Sequence, residues 1–166
     1  YSFVANEPAF MRSLFVSLQR VALGVGINML LAVMLAYPLA KEARDFRWRT
    51  FYVWIFVFTM LFNGGLIPTY LVVQKTGLAG SLLALVIPSA VNVFNVILML
   101  NFFRGIPKEL LDASYIDGAG HWKTLWSIVV PVSKPVLATV ALFAIVYHWN
   151  EWFYGLIYMK HTDDYP

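Results

Sequence analysis

Three of the nine acidic residues of this chain lie close together in the polar stretch between residues 104 and 134. We call this stretch the acidic loop; its acids are Glu109, Asp112 and Asp117. Carboxylates on an exposed helix form charge-assisted hydrogen bonds with basic groups of another protein, and such bonds are strong for their size. The chemistry that these residues could do is therefore docking onto a basic surface.

The acidic loop has the pattern of two helices joined by a turn. Pro107 suits the first position of a helix, and helix-compatible residues follow from 108 to 116. The sequence Asp117-Gly118-Ala119-Gly120 predicts a turn, because glycine tolerates positive φ. A second helix is predicted from His121, and Pro131 ends it. Its apolar residues fall on one face at helical spacing: Trp122, Leu125, Trp126, Val129 and Val130.

Two interpretations of the acidic loop fit this pattern. The loop could be a linker that lies on the membrane surface, which is the commonest role of such a segment. It could also be a docking element whose carboxylates meet basic residues of a cytoplasmic partner. The helical period alone does not distinguish them.

A second group of polar side chains interrupts the long apolar runs of the sequence. An ionisable group inside such a run usually faces a cavity or the interior of a helix bundle. Aromatic rings and amides also suit a sugar, because rings cover its apolar faces and amides bond to its hydroxyls. These residues are candidates for a transport pathway: Asn92, Asn95, Tyr147, Trp149, Asn150 and Glu151. Hydrogen bonding between helices is the commoner use of each such residue.

The composition places both groups in a membrane protein. Of the 166 residues, 60% are hydrophobic and only 13% are charged, whereas a soluble domain carries about 25% charged residues. The mean hydropathy is +0.69. Without cysteine there is no disulfide or thiolate chemistry. The net charge of +3 does not indicate nucleic-acid binding, because the basic residues lie in short gaps between apolar runs.

Four apolar stretches are long enough to cross a bilayer, which takes about 20 residues. The second of them is broken at Asn63-Gly64-Gly65, after which Leu66–Val73 is predicted to lie at the interface or to dip into the membrane. The four stretches are Val21–Ala40, Thr50–Val73, Leu82–Phe103 and Val136–Met159. The predicted fold class is therefore all-α, a polytopic helical membrane protein.

The distribution of basic residues predicts the orientation. Residues 41–49 and the acidic loop each hold four basic residues, and the remaining segments together hold four. Because positive charge collects on the cytoplasmic side, both of these segments are predicted to be cytoplasmic. Both ends of the printed sequence are then predicted to be outside.

The acidic loop resembles the EAA motif of the membrane subunits of ATP-binding-cassette importers. That motif reads acidic-Ala-Ala, three residues, Gly, nine residues, Ile-x-Leu-Pro. Here Asp112-Ala113-Ser114 is followed at the same spacing by Gly118 and by Ile128-Val129-Val130-Pro131. The departures are aspartate for glutamate, Ser114 for the second alanine and Val130 for leucine, and each is conservative.

Other segments resemble the carbohydrate branch of this family, including the subgroup that imports oligosaccharides from complex polysaccharides. They are Asn6–Ser13, Ala36–Ala40, Phe62–Tyr70, Ile106–Leu110 and His148–Trp152. The resemblance covers essentially the whole chain. It implies a single transmembrane domain over 1–166 that is truncated at both ends, with four spans of a six-span core.

The resemblance also implies a function for the chain. It would be a permease subunit of an ATP-driven importer, in the bacterial or archaeal cell membrane, that forms part of a pore for a sugar or oligosaccharide. Its partners would be a second homologous permease, two cytoplasmic ATPase subunits and an extracytoplasmic solute-binding protein. The chain would not be an enzyme and would hold no cofactor or metal, because ATP and Mg²⁺ would bind to the ATPase.

In this family the loop 104–134 couples the permease to the ATPase. The first helix would enter a cleft of the ATPase, Asp112 would pair with a basic residue there, and Gly118 would make the turn. Gly118→Asp is then expected to uncouple transport. The coupling residues implied in this chain are Glu109, Asp112, Ala113, Ser114, Asp117, Gly118, Ala119 and Pro131.

Two other functional classes remain as alternatives. An intramembrane enzyme is suggested by His148-x-x-Glu151, which resembles half of a metal site, although a catalytic zinc has three protein ligands. A secondary transporter would need no ATPase, and its inverted repeats are not visible in the sequence. The sequence contains no P-loop, so a transporter driven by ATP would need a separate ATPase subunit.

Overall fold

The fold is helical throughout the part of the chain that the computed structural model describes, residues 8–42 and 46–159. The long helices follow the apolar runs, and short ones form the acidic loop. The helices are α1 (Pro8–Ala40), α2 (Arg49–Leu61), α3 (Leu66–Lys75), α4 (Leu82–Val86), α5 (Val93–Arg104), α6 (Lys108–Ile116), α7 (His121–Thr124), α8 (Val130–Val132), α9 (Lys134–Asn150) and α10 (Phe153–Tyr158). A 3₁₀ turn, Ile87–Ser89, follows α4, and a π-helical turn, Leu125–Val129, joins α7 to α8. The predicted all-α fold class is confirmed.

One described helix is long and apolar enough to cross a membrane by itself, over Phe10–Ala40 of α1. Three pairs of helices separated by short breaks pass the same test when each pair is taken together. By length and composition the described residues therefore offer one crossing, or up to four. The upper number equals the number of predicted spans. However, the last pair joins His121–Val132 to Lys134–Asn150 at 82°, so it overlaps the acidic loop and does not reach the end of the predicted span Val136–Met159.

Three predicted spans differ from the helices observed. The third one, Leu82–Phe103, is not one helix, because the 3₁₀ turn after α4 ends at Ser89, α5 begins at Val93, and the two parts are bent by 51°. The last one, Val136–Met159, is not one helix, because α9 ends at Asn150 and α10 begins only at Phe153. The first one begins 13 residues earlier than predicted, because α1 already starts at Pro8 and includes Arg20. The prediction began after Arg20 because a charged residue was taken to end the apolar run.

The buried side of α1 shows why the helix continues through Arg20. Its buried residues recur every four positions, at Arg20, Gly24, Asn28, Ala32 and Ala36. Positions four apart lie on one face of a helix. Most of this face is small or polar, which allows close approach of other backbones and hydrogen bonding within a membrane.

The predicted break after α2 is confirmed at Asn63–Gly65. Gly65 has φ +84°, in a region that residues with a Cβ rarely adopt. The Asn63 side-chain oxygen accepts a hydrogen bond from the Gly65 backbone N–H at 2.9 Å. The next helix, α3, extends two residues beyond the predicted segment Leu66–Val73.

The described residues form two compact units. The first contains residues up to 28, 63–91 and from 143 onward. Its apolar cluster is centred on Tyr158, whose ring stacks on Tyr154 at a centroid distance of 5.4 Å. In the same unit, the Asn28 amide donates to the Ala90 carbonyl at 3.3 Å.

The second unit contains residues 29–62 and 92–142, and therefore the whole acidic loop. Its core packs the second half of α1 against α5 and the turn that follows α7. The buried members of this core are Ala32, Val33, Ala36, Leu39, Val96, Met99, Leu100, Phe103, Ile106, Leu125, Val129, Val136 and Val140. Three residues of the acidic loop, Ile106, Leu125 and Val129, belong to this core, and they anchor the loop to the apolar helices.

Candidate functional site: the acidic loop and a buried polar cluster

The acidic loop presents one face of α6 outward. Glu109, Asp112, Ala113 and Ile116 are spaced so that they share a face of this helix, and all four are exposed. Ile116 is 86% exposed, more than any other large hydrophobic side chain described. Two carboxylates beside an exposed apolar side chain form a surface that suits contact with a basic and partly apolar partner.

The turn after α6 has the hydrogen bonds of a Schellman motif. The Gly118 N–H donates to the Tyr115 carbonyl at 3.0 Å, and the Ala119 N–H donates to the Ser114 carbonyl at 2.9 Å. Gly118 has φ +75°, the left-handed conformation that this motif requires. Asp117 and Gly118 are exposed, and Ala119 is half-buried. The predicted glycine turn is confirmed.

Ser114 differs from the other predicted coupling residues because its side chain is buried. Its Oγ lies 3.0 Å from Oγ1 of Thr124, which is also buried, and donates to the Leu111 carbonyl at 2.7 Å. It joins α6 to α7 within the chain and is not available to a partner. The remaining predicted residue, Pro131, is exposed in α8.

We expect Ser114→Ala to lower the free energy of unfolding by about 1 kcal/mol, because the buried Thr124 hydroxyl loses its partner. Thr124→Val should cost less, because the Ser114 hydroxyl keeps its hydrogen bond to the Leu111 carbonyl. In the double variant no hydroxyl is left unpaired, so its loss should be smaller than the sum of the two. Thermal unfolding of the detergent-solubilised protein measures this, and strictly additive losses would contradict an interaction between the hydroxyls.

The acidic loop is also held to the end of α1. Lys41 Nζ donates to Nδ1 of His121 at 2.8 Å, and the Tyr115 hydroxyl lies 3.1 Å from the same nitrogen. Lys41 further contacts the Tyr115 hydroxyl at 3.4 Å. These residues are separated by up to 80 positions, and no spacing in the sequence indicated that they meet.

The apolar face predicted for the second helix of the loop is only partly correct. Leu125 and Val129 are buried, but Trp122 and Trp126 are exposed, Trp122 by 63%. The buried side is instead formed by Leu125, Val129 and Ser133, which are four residues apart, and by Thr124, which precedes Leu125. The π-helical turn Leu125–Val129 has more residues per turn than an α-helix. Residues four apart therefore stay on the buried side, whereas Trp122 and Trp126 fall outside it.

The two asparagines of the predicted pathway have different roles. Asn92 is the N-cap of α5, where its side-chain oxygen accepts a hydrogen bond from the Asn95 backbone N–H at 3.2 Å. Asn92 is exposed, whereas Asn95 is buried within α5. They do not share a helix face, because Asn92 precedes the helix.

Glu151 belongs to a buried polar cluster that we define as Arg20, Gly24, His148 and Glu151. Arg20 is 1% exposed, and its Nη1 donates to the Glu151 backbone carbonyl. Oε1 of Glu151 accepts a hydrogen bond from the Tyr154 N–H at 3.1 Å. The imidazole of His148 lies directly against the backbone of α1 at Gly24, and its exposed fraction is 2%.

Sequence reasoning missed Arg20 as a member of this cluster. It counted Arg20 among the loop residues, whereas the structure buries it in α1. The signal that could have found it is the spacing of Arg20, Gly24 and Asn28, which continues one face of α1 toward its start. His148 was considered only as half of a metal site.

The remaining pathway candidates lie beside this cluster. The Tyr147 ring meets the His148 ring edge-on at 5.2 Å. The Asn150 amide donates to the Val146 carbonyl at 2.8 Å, and Trp149 is exposed. Within residues 8–42 and 46–159, no three His, Cys, Asp or Glu side chains are grouped so that they could hold a metal ion. His161 lies outside the described residues.

Comparisons with known proteins identify relatives over the full chain. Residues 46–159 match the family described as binding-protein-dependent transport system inner membrane component. The chain is 41% identical to the LplC protein of Bacillus subtilis, covering 100% of the chain and 56% of LplC. It is 37% identical to the polygalacturonan/rhamnogalacturonan transport system permease protein YtcP of the same organism, covering 100% and 57%.

A solved structure has the same fold. It is that of a bacterial ABC transporter involved in the import of the acidic polysaccharide alginate. The match has a TM-score of 0.94 and 32% identity, and covers 99% of this chain and 58% of that one. The chain therefore spans a little over half the length of each of these three relatives.

Proposed function

Because the chain belongs to the family of inner membrane components of binding-protein-dependent transport systems, we propose that it is a permease subunit of an ATP-driven importer. The observation that carries this proposal is the exposed acidic face of α6, held in place by the Gly118 turn. The proposed substrate is a sugar or oligosaccharide. The names of relatives that handle polygalacturonan, rhamnogalacturonan and alginate support this class.

The acidic loop is the proposed coupling element to a cytoplasmic ATPase. Glu109 and Asp112 would meet basic residues of the ATPase, and Ile116 would enter an apolar depression between them. ATP and Mg²⁺ would bind to that subunit, and this chain would take no part in hydrolysis. Closure of the ATPases would then move the loop and switch the pore between its two faces.

The proposed assembly contains two permeases, two ATPase subunits and an extracytoplasmic binding protein. The second permease would be a homologue of this chain in a heterodimer. The chain would cross a bacterial or archaeal cell membrane several times, with the acidic loop in the cytoplasm. The number of apolar helices and paired helices supports the multiple crossings.

The proposed pathway for the sugar uses polar and aromatic side chains of the apolar helices. Glu151 and Tyr147 are the strongest of the six candidates, because Glu151 belongs to the buried polar cluster and the Tyr147 ring contacts the His148 ring within it. Asn95 is buried within α5, whereas Asn92 is engaged in capping that helix. Trp149 and Asn150 complete the set.

Charge reversal at the exposed face of α6 tests the coupling role. We expect Asp112→Lys to reduce the amount of ATPase subunit that co-purifies with the permease at least about tenfold. The reason is that a charge-assisted contact worth about 1.5–3 kcal/mol would be replaced by repulsion. Affinity purification from membranes, followed by quantification of the ATPase, measures this.

Lys75→Glu provides the matched control. It also reverses one exposed charge, but at the end of α3, on the side predicted to be extracytoplasmic. This variant should retain the ATPase. Full retention of the ATPase by Asp112→Lys, or equal losses in the two variants, would argue against coupling through this face.

A further inference from the structure

The guanidinium of Arg20 is buried with most of its hydrogen-bonding capacity unused. Nη1 donates to the Glu151 carbonyl, but Nε and Nη2 are buried and have no hydrogen-bond partner in the described part of the chain. A buried charged group that lacks partners is costly, above all inside a membrane segment. This arrangement indicates that another group accepts hydrogen bonds from Nε and Nη2 at some stage of the protein's functional cycle.

The two unpartnered nitrogens determine what that group would be. Nε and Nη2 lie on one edge of the planar guanidinium, so their N–H bonds point outward side by side. This fork matches the two oxygens of a carboxylate, which it binds through parallel hydrogen bonds. A neutral hydroxyl has a single oxygen and no charge, so it could meet these donors only without the two parallel, charge-assisted bonds.

No carboxylate among the described residues fills this position. Glu151 is the acidic side chain nearest in sequence to the contact, and its Oε1 accepts from the N–H of Tyr154 at the start of α10. The Glu151 carboxylate lies within electrostatic range of Arg20, but in the described ranges it makes no hydrogen bond or contact ion pair with the guanidinium. A carboxylate from outside the chain is therefore the group that fits.

His148 supplies further polar atoms in the same cluster. Its ring is buried, and in the described part neither ring nitrogen makes a hydrogen bond of acceptable geometry. Gly24 permits this placement, since a Cβ at that position would overlap the imidazole. The edge of Tyr147 adjoins the same ring at 5.2 Å, which adds an aromatic surface to the charged one.

We propose that the buried polar cluster is a subsite for the carboxylate of a uronate residue in the transported oligosaccharide. This inference rests on the proposed function and narrows its substrate to an anionic sugar. In this conformation Arg20, Gly24 and His148 are closed to solvent, and Glu151 is half-buried. Glu151 and Trp152 form the non-helical break between α9 and α10, and the cluster would open at this break during transport.

The test uses the complete importer in proteoliposomes, with its binding protein and ATPase. The two probes are labelled trigalacturonate and its methyl ester, in which each carboxylate is replaced by a neutral group that is one methyl larger. The wild type should take up the acid about tenfold faster than the ester, as expected for charge-assisted hydrogen bonds. The ratio of the two rates is the readout, so that a loss common to both probes cancels.

Arg20→Gln should lower this ratio to about one. Arg20→Lys, which keeps the charge but removes the fork, should lower it partially. Arg12→Gln is the matched control, because it makes the same substitution at an exposed arginine of the same helix, and it should leave the ratio unchanged. If the Arg20 variants fail to assemble, two other measurements test the subsite. The wild type should prefer the acid to the ester, and His148→Gln should lower the ratio of the two uptake rates.

A ratio that Arg20→Gln does not change, or a wild type that takes up the ester as fast as the acid, would overturn the subsite. Uptake of neutral oligosaccharides without any uptake of the acid would overturn the subsite and leave the proposed function intact. If neither probe nor any neutral oligosaccharide enters the vesicles with ATP, the proposed function itself is wrong.

Discussion

Gly118→Val is expected to reduce ATP-dependent uptake by about 5- to 30-fold while the protein still reaches the membrane. Gly118 has φ +75° and closes the Schellman motif that ends α6. A β-branched residue is a conformational outlier there, at a cost of about 1–2 kcal/mol, and each 1.4 kcal/mol is a factor of ten in population. Nothing crowds this glycine, so the effect should come from the backbone alone.

Gly120→Val is the control that isolates the backbone effect. Gly120 lies two residues further along the same turn, with φ −74° and ψ 169°, an extended conformation that valine adopts readily. Nothing lies close to a Cβ placed at this position either. Gly120 is also the N-cap of α7, where valine is less favourable than glycine. This variant should therefore keep most of its uptake, and the additional loss in Gly118→Val measures the cost of the positive φ.

Gly118→Asn should have a smaller effect of the same kind. Asparagine tolerates left-handed φ better than other residues that carry a Cβ, so Gly118→Asn should lose less uptake than Gly118→Val. Aspartate is less informative, because it tolerates this conformation too and adds a charge. Uptake into vesicles and the amount of permease in the membrane are measured together. Equal uptake by the two valine variants would show that the turn does not set the position of α6.

The fold could be predicted largely because the bilayer restricts it. Apolar runs of about 20 residues must become helices, since lipid leaves no water for unpaired backbone groups. What escaped prediction were places where the protein interior overrides the apolar pattern. Arg20 continues α1 because its charge is buried among polar groups. The helix that begins at Lys134 stops at Asn150, directly before Glu151 and inside the predicted span Val136–Met159.

The acidic loop was predictable because its signals are local. Proline, glycine and helical spacing fix α6, the turn and the start of α7 within about 20 residues. Its attachment could not be predicted, since the contacts of Lys41 with Tyr115 and His121 depend on packing between distant segments. For the same reason the inward position of Ser114 was missed, because an alanine-like site in a motif gives no indication of a buried hydroxyl pair.

Gly24→Ala is expected to destabilise the protein, although alanine is the better helix former. In an open helix position this substitution stabilises by about 0.5–1 kcal/mol. At Gly24 the added methyl group would overlap the ring of His148, because three ring atoms lie much closer to the new Cβ than van der Waals contact allows. Overpacking a buried site typically costs about 1–3 kcal/mol. The net result should be a lower thermal unfolding temperature in detergent.

Gly26→Ala separates the clash from helix propensity. Gly26 lies in the same helix, two residues away, and nothing lies within 4 Å of a Cβ added there. This variant should be as stable as the wild type or slightly more stable. The difference between the two alanine variants then measures the contact with His148, free of the change in backbone entropy.

His148→Ala and Gly24→Ala, singly and together, form a double-mutant cycle that tests this contact. By itself His148→Ala should destabilise, because it empties a buried position against α1. Combined with Gly24→Ala it should destabilise less than the sum of the two single changes, since the added methyl no longer meets a ring. A Gly24→Ala variant as stable as Gly26→Ala, or strict additivity in the double variant, would mean that the imidazole does not rest on the α1 backbone and that the polar cluster is arranged differently.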